Sequence, residues 1–192
     1  MNKQILAAFA ILLFALSITG YTYSHWTDKV NIHGTLKMAK LTIYIQDYNT
    51  TLTPQMSPDN HTLELSGTIT LGEIWTGIII KNNGTTPATI TYGITTNNST
   101  IWGTYFASNE YFYGPYSTNP PPEAWNNAPT LPPPGGASSP PDLLAQEKLV
   151  AWQNMTLSGT PPAFTIEITV AYTATFQTWT DTVYVIYTLT YP

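Results

Sequence analysis

Phe164-Thr165-Ile166-Glu167-Ile168-Thr169-Val170-Ala171-Tyr172-Thr173-Ala174-Thr175-Phe176 decides the fold class, together with Val183, Val185, Tyr187, Leu189 and Tyr191, which recur at every second position beyond Trp179-Thr180-Asp181. In an extended chain successive side chains point to opposite faces. Each run therefore carries an apolar face and a largely Thr-covered face. Two such strands joined by a short turn form a β-hairpin with one face in a core and the other towards solvent.

Working back towards the N-terminus, residues 114–142 change character. Pro120-Pro121-Pro122, Pro132-Pro133-Pro134, Gly135-Gly136 and Pro140-Pro141 mark a Pro-rich insertion that cannot donate regular ladder hydrogen bonds. A segment of this length either lies across a neighbouring copy through Tyr116 and Trp125 or forms a solvated loop. Asp142 can cap one short helix over residues 143–152, with Leu143, Leu144, Leu149 and Trp152 on one side. Residues 101–106 and 111–113 read as short aromatic strands. Further upstream, residues 75–81 and the run Ala88, Ile90, Tyr92, Ile94 flank Asn82-Asn83-Gly84-Thr85-Thr86-Pro87, which reads as a hairpin with a tight Asn-Gly turn. Leu63, Leu65, Ile69 and Leu71 share one face of another strand. About eight strands, one helix and no βαβ alternation predict an all-β protein, a jelly-roll-like β-sandwich.

The stretch from His25 to Ile45 is harder to place. Trp26, Val30, Ile32, Leu36 and Met38 occupy even positions, and Leu41, Ile43 and Ile45 odd ones, so one regular strand cannot bury both sets. Either a β-bulge near Met38-Ala39-Lys40 resets the alternation, or the two sets serve two bodies. In the second case the chain pivots at Gly34, and residues 25–34 pair with a neighbour's sheet edge as a donor strand carrying Trp26, Val30 and Ile32. Upstream of it, Ile5 to Ile18 form an apolar run of about 14 residues, short of the ~18 of a spanning helix. Residues 1–24 therefore read as a secretory signal segment, with cleavage expected near Ser24, and a retained pilin-type helix as the alternative. The expected organisation is a signal (1–24), a donor strand (25–34) and a sandwich domain (35–192) carrying the insertion (114–142).

Only 9% of the residues are charged, all six basic residues are Lys, and the net charge is -5, which excludes an electrostatic footprint for nucleic acid. With no Cys there is neither a disulfide framework nor a thiolate site. Contact with a membrane is expected only during export. Asn-x-Ser/Thr patterns at Asn49, Asn60, Asn83, Asn97, Asn98 and Asn154 suit an extracellular glycoprotein, with Asn49, Asn60 and Asn98 ranked first.

His25, His33 and His61 are too dispersed for a metal site, and there is no nucleophile elbow, zinc-protease motif or phosphate loop. No catalytic residue, cofactor or metal is expected, and the chain does not read as an enzyme. Asp47, Asn49, Asp59, Asn60 and Glu64 could offer oxygen ligands to calcium, without a loop signature. Trp75, Trp102, Trp125, Trp152 and Trp179 could instead build a sugar-stacking platform on a monomeric surface module.

Three features in order carry a resemblance. They are the aromatic-x-Asp start Trp26-Thr27-Asp28, the first core strand Lys40-Leu41-Thr42-Ile43, and the segment from Ile78 through Asn82-Asn83-Gly84 to Ile90. Together these resemble the TasA and camelysin family of secreted fibre proteins, above all its archaeal relatives that form bundling pili. The resemblance implies a jelly-roll subunit that polymerises with copies of itself by donor-strand complementation, in a pilus that contributes to bundling, cell adhesion and biofilm. It places the donor segment on residues 25–34, with Trp26, Val30 and Ile32 entering the neighbour. The proteolytic label of camelysin is not carried over, since the chain lacks His-Glu-x-x-His. A calcium-bridged, cannula-like tube is the other assembly considered.

Overall fold

A computed structural model describes residues 11–17, 39–125 and 136–192. The chain divides into two compact units, Met1–Lys37 and Met38–Pro192. In the first, residues 11–17 are helical. No helix among the described residues is long and apolar enough to cross a membrane.

The second unit is the expected all-β sandwich. Its strands are β1 (Ile43–Thr50), β2 (Thr53–Met56), β3 (Thr62–Thr68), β4 (Gly72–Asn82), β5 (Thr89–Thr96), β6 (Phe106–Tyr116), β7 (Lys148–Leu157), β8 (Phe164–Phe176) and β9 (Trp179–Tyr191). Two short helices, α1 (Ser99–Tyr105) and α2 (Pro122–Trp125), interrupt them. One sheet has the order β1-β4-β7-β6 and the other β2-β3-β9-β8-β5. β8 and β9 form the hairpin read from their alternation, in register from Phe164 opposite Tyr191 to Phe176 opposite Trp179. Ile166, Ile168, Val170, Tyr172 and Ala174 pack with Leu149, Ala151, Met155 and Leu157 in one core. β3 runs parallel to β9, while the other paired strands are antiparallel.

Several local expectations are corrected by long-range contacts. Residues 143–152 do not form a helix: from Lys148 onward the segment is β7, central in its sheet between β4 and β6. Leu149, Ala151, Met155 and Leu157 point into the core, while Val150 and Trp152 belong to a second apolar cluster on the other side. A strand buried on both faces loses its period of two, and the apolar run then mimics a helical stripe. Residues 101–106 are not a strand, because the Asn98 side chain accepts from the Ile101 N–H and caps α1, leaving Phe106 to open β6.

Residues 78–94 are not a hairpin either, for β4 and β5 lie in different sheets. The fully buried Asn82 organises the crossover. Its Nδ2 donates to the carbonyls of Thr86, Leu143 and Leu144, and its Oδ1 accepts from the Gly84 N–H. Lys40 docks on this loop. Its carbonyl accepts from the Thr85 N–H, and a Cβ on Gly84 would collide with that carbonyl. Ala39 and Lys40 thus lie outside the sheet, and the register shift within β1 falls between Ile45 and Asp47; Met38 and the residues before it, which the expected bulge or donor strand involves, lie outside the described residues. Of the predicted face Leu63, Leu65, Ile69 and Leu71, the first three are buried and Leu71 is exposed, just beyond the end of β3.

The Pro-rich insertion, where described, packs in part on its own subunit. Trp152 Nε1 donates to the Ala124 carbonyl at 3.0 Å, the rings of Trp125 and Trp152 lie 5.9 Å apart, and Ala137 bridges Phe112. Ala124, Trp125 and Tyr116 pack with Ile79, Tyr113, Val150 and Trp152 on the outer face of the first sheet. The insertion is a third layer, and it is what buries the second face of β7.

Candidate functional site

Two places stand out once the core is accounted for. The first is the outer edge of β5, which among the described residues pairs with β8 only. Tyr92 is paired with Tyr172 and Ile94 with Val170, so both point towards the core as those buried partners do. Tyr92 is nevertheless 40% exposed and Ile94 half-buried. The Tyr92 ring lies 5.4 Å from that of Phe112 on β6, the edge strand of the facing sheet. The sandwich is therefore open on this side, with an inward-facing aromatic at its lip and the β5 backbone free to pair.

The second place is a polar layer through the core of the first sheet. Register places Thr50 opposite Thr76, Thr76 opposite Gln153 and Gln153 opposite Glu110, one residue from each of its four strands. All but the half-buried Thr50 are deeply buried. Tyr172 on β8 donates its hydroxyl to both Glu110 carboxyl oxygens, at 3.1 and 3.2 Å. Burial pushes the Glu110 carboxyl up to about 8, against a smaller opposing effect of that hydrogen bond, so it holds its proton at neutral pH. Burial also raises the Tyr187 phenol, which is hydrogen-bonded to Thr76. Gln153, 2% exposed, has no hydrogen-bond partner for either Oε1 or Nε2. Leaving such groups unpaired costs about 1–3 kcal/mol each.

No reading of the sequence picked out this layer. Its signal is a polar residue at a core-facing step of an apolar alternation: Thr76 between Ile74 and Ile78, Gln153 between Ala151 and Met155. Recognising it requires knowing that β4 and β7 are strands with two buried faces.

The donor-strand residues Trp26, Val30 and Ile32 and the hinge Gly34 lie outside the described residues. Of the candidate glycosylation acceptors, Asn60, Asn83 and Asn97 are exposed and Asn49 is half-buried in β1. Asn98 is the α1 cap, and Asn154 is only 6% exposed, its Oδ1 accepting from Thr156. In the loop considered for calcium, Asp59 accepts from Ser57 and from the His61 backbone, contacts that hold its carboxyl below the usual carboxylate range. No three His, Cys, Asp or Glu side chains among the described residues gather in a metal-binding group. The five Trp of the supposed sugar platform do not share an exposed face. Trp75 and Trp152 are buried, Trp102 and Trp125 are half-buried, and Trp179 is exposed at the β8–β9 turn.

No protein-family model matches the chain, and no curated protein matches it. Solved structures share its outline at a distance. A family 123 glycoside hydrolase from Clostridium perfringens is 11% identical, with a TM-score of 0.45 over 78% of this chain, which spans only 27% of that enzyme. The CooA pilin subunit of enterotoxigenic Escherichia coli is 8% identical, with a TM-score of 0.37 over 79% of this chain and 99% of the pilin. The GAE domain of GGA2p from Saccharomyces cerevisiae is 6% identical, with a TM-score of 0.34 over 79% of this chain and 97% of the domain.

Proposed function

We propose that this chain is the structural subunit of an extracellular homopolymeric filament, a pilus without enzymatic activity, in which residues 25–34 of one copy lie along the open β5 edge of the next. The observation that carries the reading is the core-facing Tyr92, left 40% exposed beside a strand edge that has no partner among the described residues. A donor strand alternating Trp26, Val30 and Ile32 supplies what that edge lacks: apolar side chains for the lip of the core and a backbone for the unpaired ladder. Each such side chain, fully buried, contributes about 1.5–3 kcal/mol. The contact is head to tail, so it propagates rather than closes. A surface rich in Thr, Asn and Pro, with glycans on the exposed turn residues Asn60 and Asn83, suits bundling, adhesion and a place in a biofilm matrix.

The test is polymerisation of the exported protein carrying Ile32→Asp or Val30→Asp on the donor side, or Tyr92→Asp on the acceptor side. All three variants are expected to remain soluble monomers, and mixing a donor variant with an acceptor variant should yield heterodimers but no long filaments. Normal filaments from Ile32→Asp and Val30→Asp would refute the donor assignment. Electron cryo-microscopy of native filaments with residues 25–34 folded back on their own sheet would do the same.

A further inference from the structure

We propose that Thr76 and Gln153 join in an intramolecular ester that staples β4 to β7, formed by the chain itself with Glu110 as proton carrier. The two residues are direct cross-strand partners on the core face of an antiparallel pair. Their Cβ atoms are thus about 4.5–5.5 Å apart, a gap that the Thr hydroxyl and the longer Gln side chain can close. Gln153 is otherwise unexplained, being a buried carboxamide with neither its donor nor its acceptor used. On its other side stands Glu110, its direct partner on β6. Its carboxyl is shut into the core and held by Tyr172. A nucleophilic hydroxyl, an acyl carbon and a protonated acid therefore follow one another across three adjacent strands. None of the described lysines, Lys40, Lys81 and Lys148, is buried, so the hydroxyl is the nucleophile at hand.

The step balances without an oxidant or a further reactant. Thr76 Oγ1 bonds to Gln153 Cδ, the Cδ–Nε2 bond breaks, and nitrogen leaves as ammonia. Glu110 gives its proton to the departing nitrogen and is replenished by the proton that Thr76 releases. A buried acid that keeps its proton is suited to this transfer. Exclusion of water from the layer protects the ester, and the escape of ammonia drives its formation. The staple would give a chain without Cys a covalent link between the two central strands of its first sheet.

Intact-mass measurement of the purified full-length protein tests this directly. The expected result is a mass about 17 Da below that of the sequence, the loss of one ammonia. Peptide mapping should recover a branched peptide joining the Thr76 and Gln153 segments, cleaved by alkaline hydroxylamine after denaturation. Thr76→Ala and Glu110→Gln should each restore the full mass, while Thr76→Ser, which keeps a hydroxyl, should retain the loss. The full sequence mass in the unaltered protein overturns the proposal. So does a loss that maps to a succinimide at Asn83-Gly84, or one that persists in Thr76→Ala and moves to Thr50.

Discussion

Raising the pH from 5 to 9 should unlock the core at Glu110. The carboxyl is pushed up to about 8 in the folded chain from an ordinary value of 4.5, chiefly because burial strips its charged form of water. Below about pH 4.5 the folded and unfolded chains both hold the proton, and the group contributes no pH dependence. Between that point and about 8 the unfolded chain ionises while the folded one does not, so each pH unit costs about 1.4 kcal/mol of stability. The whole window amounts to a loss on the order of 5 kcal/mol, levelling off once the folded carboxyl ionises. Urea unfolding at pH 5, 6, 7, 8 and 9, followed by tryptophan fluorescence, should show a midpoint falling steadily with pH. Glu110→Gln keeps an acceptor for Tyr172 but cannot titrate, and its midpoint should be nearly flat relative to the unaltered protein. Parallel profiles for the two proteins would refute the assignment of a buried, proton-holding carboxyl.

Other perturbations probe the joints of the fold. Asn82→Ala strips partners from the Gly84 N–H and from the Thr86, Leu143 and Leu144 carbonyls, and should lower stability by about 2–4 kcal/mol in urea denaturation. Gly77 faces the Trp152 ring so closely that an added Cβ would sit 2.8 Å from it, so Gly77→Val should displace the indole and cost about 1–3 kcal/mol. Near-ultraviolet circular dichroism would report that displacement. Trp125→Ala should loosen the insertion on the first sheet, read as faster proteolysis within residues 114–142 while hydrogen exchange in β8 and β9 stays unchanged.

The all-β class was legible in the chain because β8 and β9 each bury one face, so a period of two is written directly into Phe164–Phe176 and Trp179–Tyr191. The switch of apolar parity between Ile32 and Ile43 is equally local, though the donor segment proposed from it lies outside the described residues. What could not be read was any element whose environment comes from residues far along the chain. β7 looked helical because the Pro-rich insertion covers its second face; β4 and β5 looked like a hairpin because only the buried contacts of Asn82 send them to different sheets. The polar layer of Thr76, Gln153 and Glu110 exists only through strand register, which sets side by side three residues that sequence separates widely. Periodicity is local and survives in the sequence by itself. Layer order, two-sided burial and the pairing of a carboxamide with a hydroxyl are decided by the tertiary structure, because each depends on which distant strand becomes the neighbour.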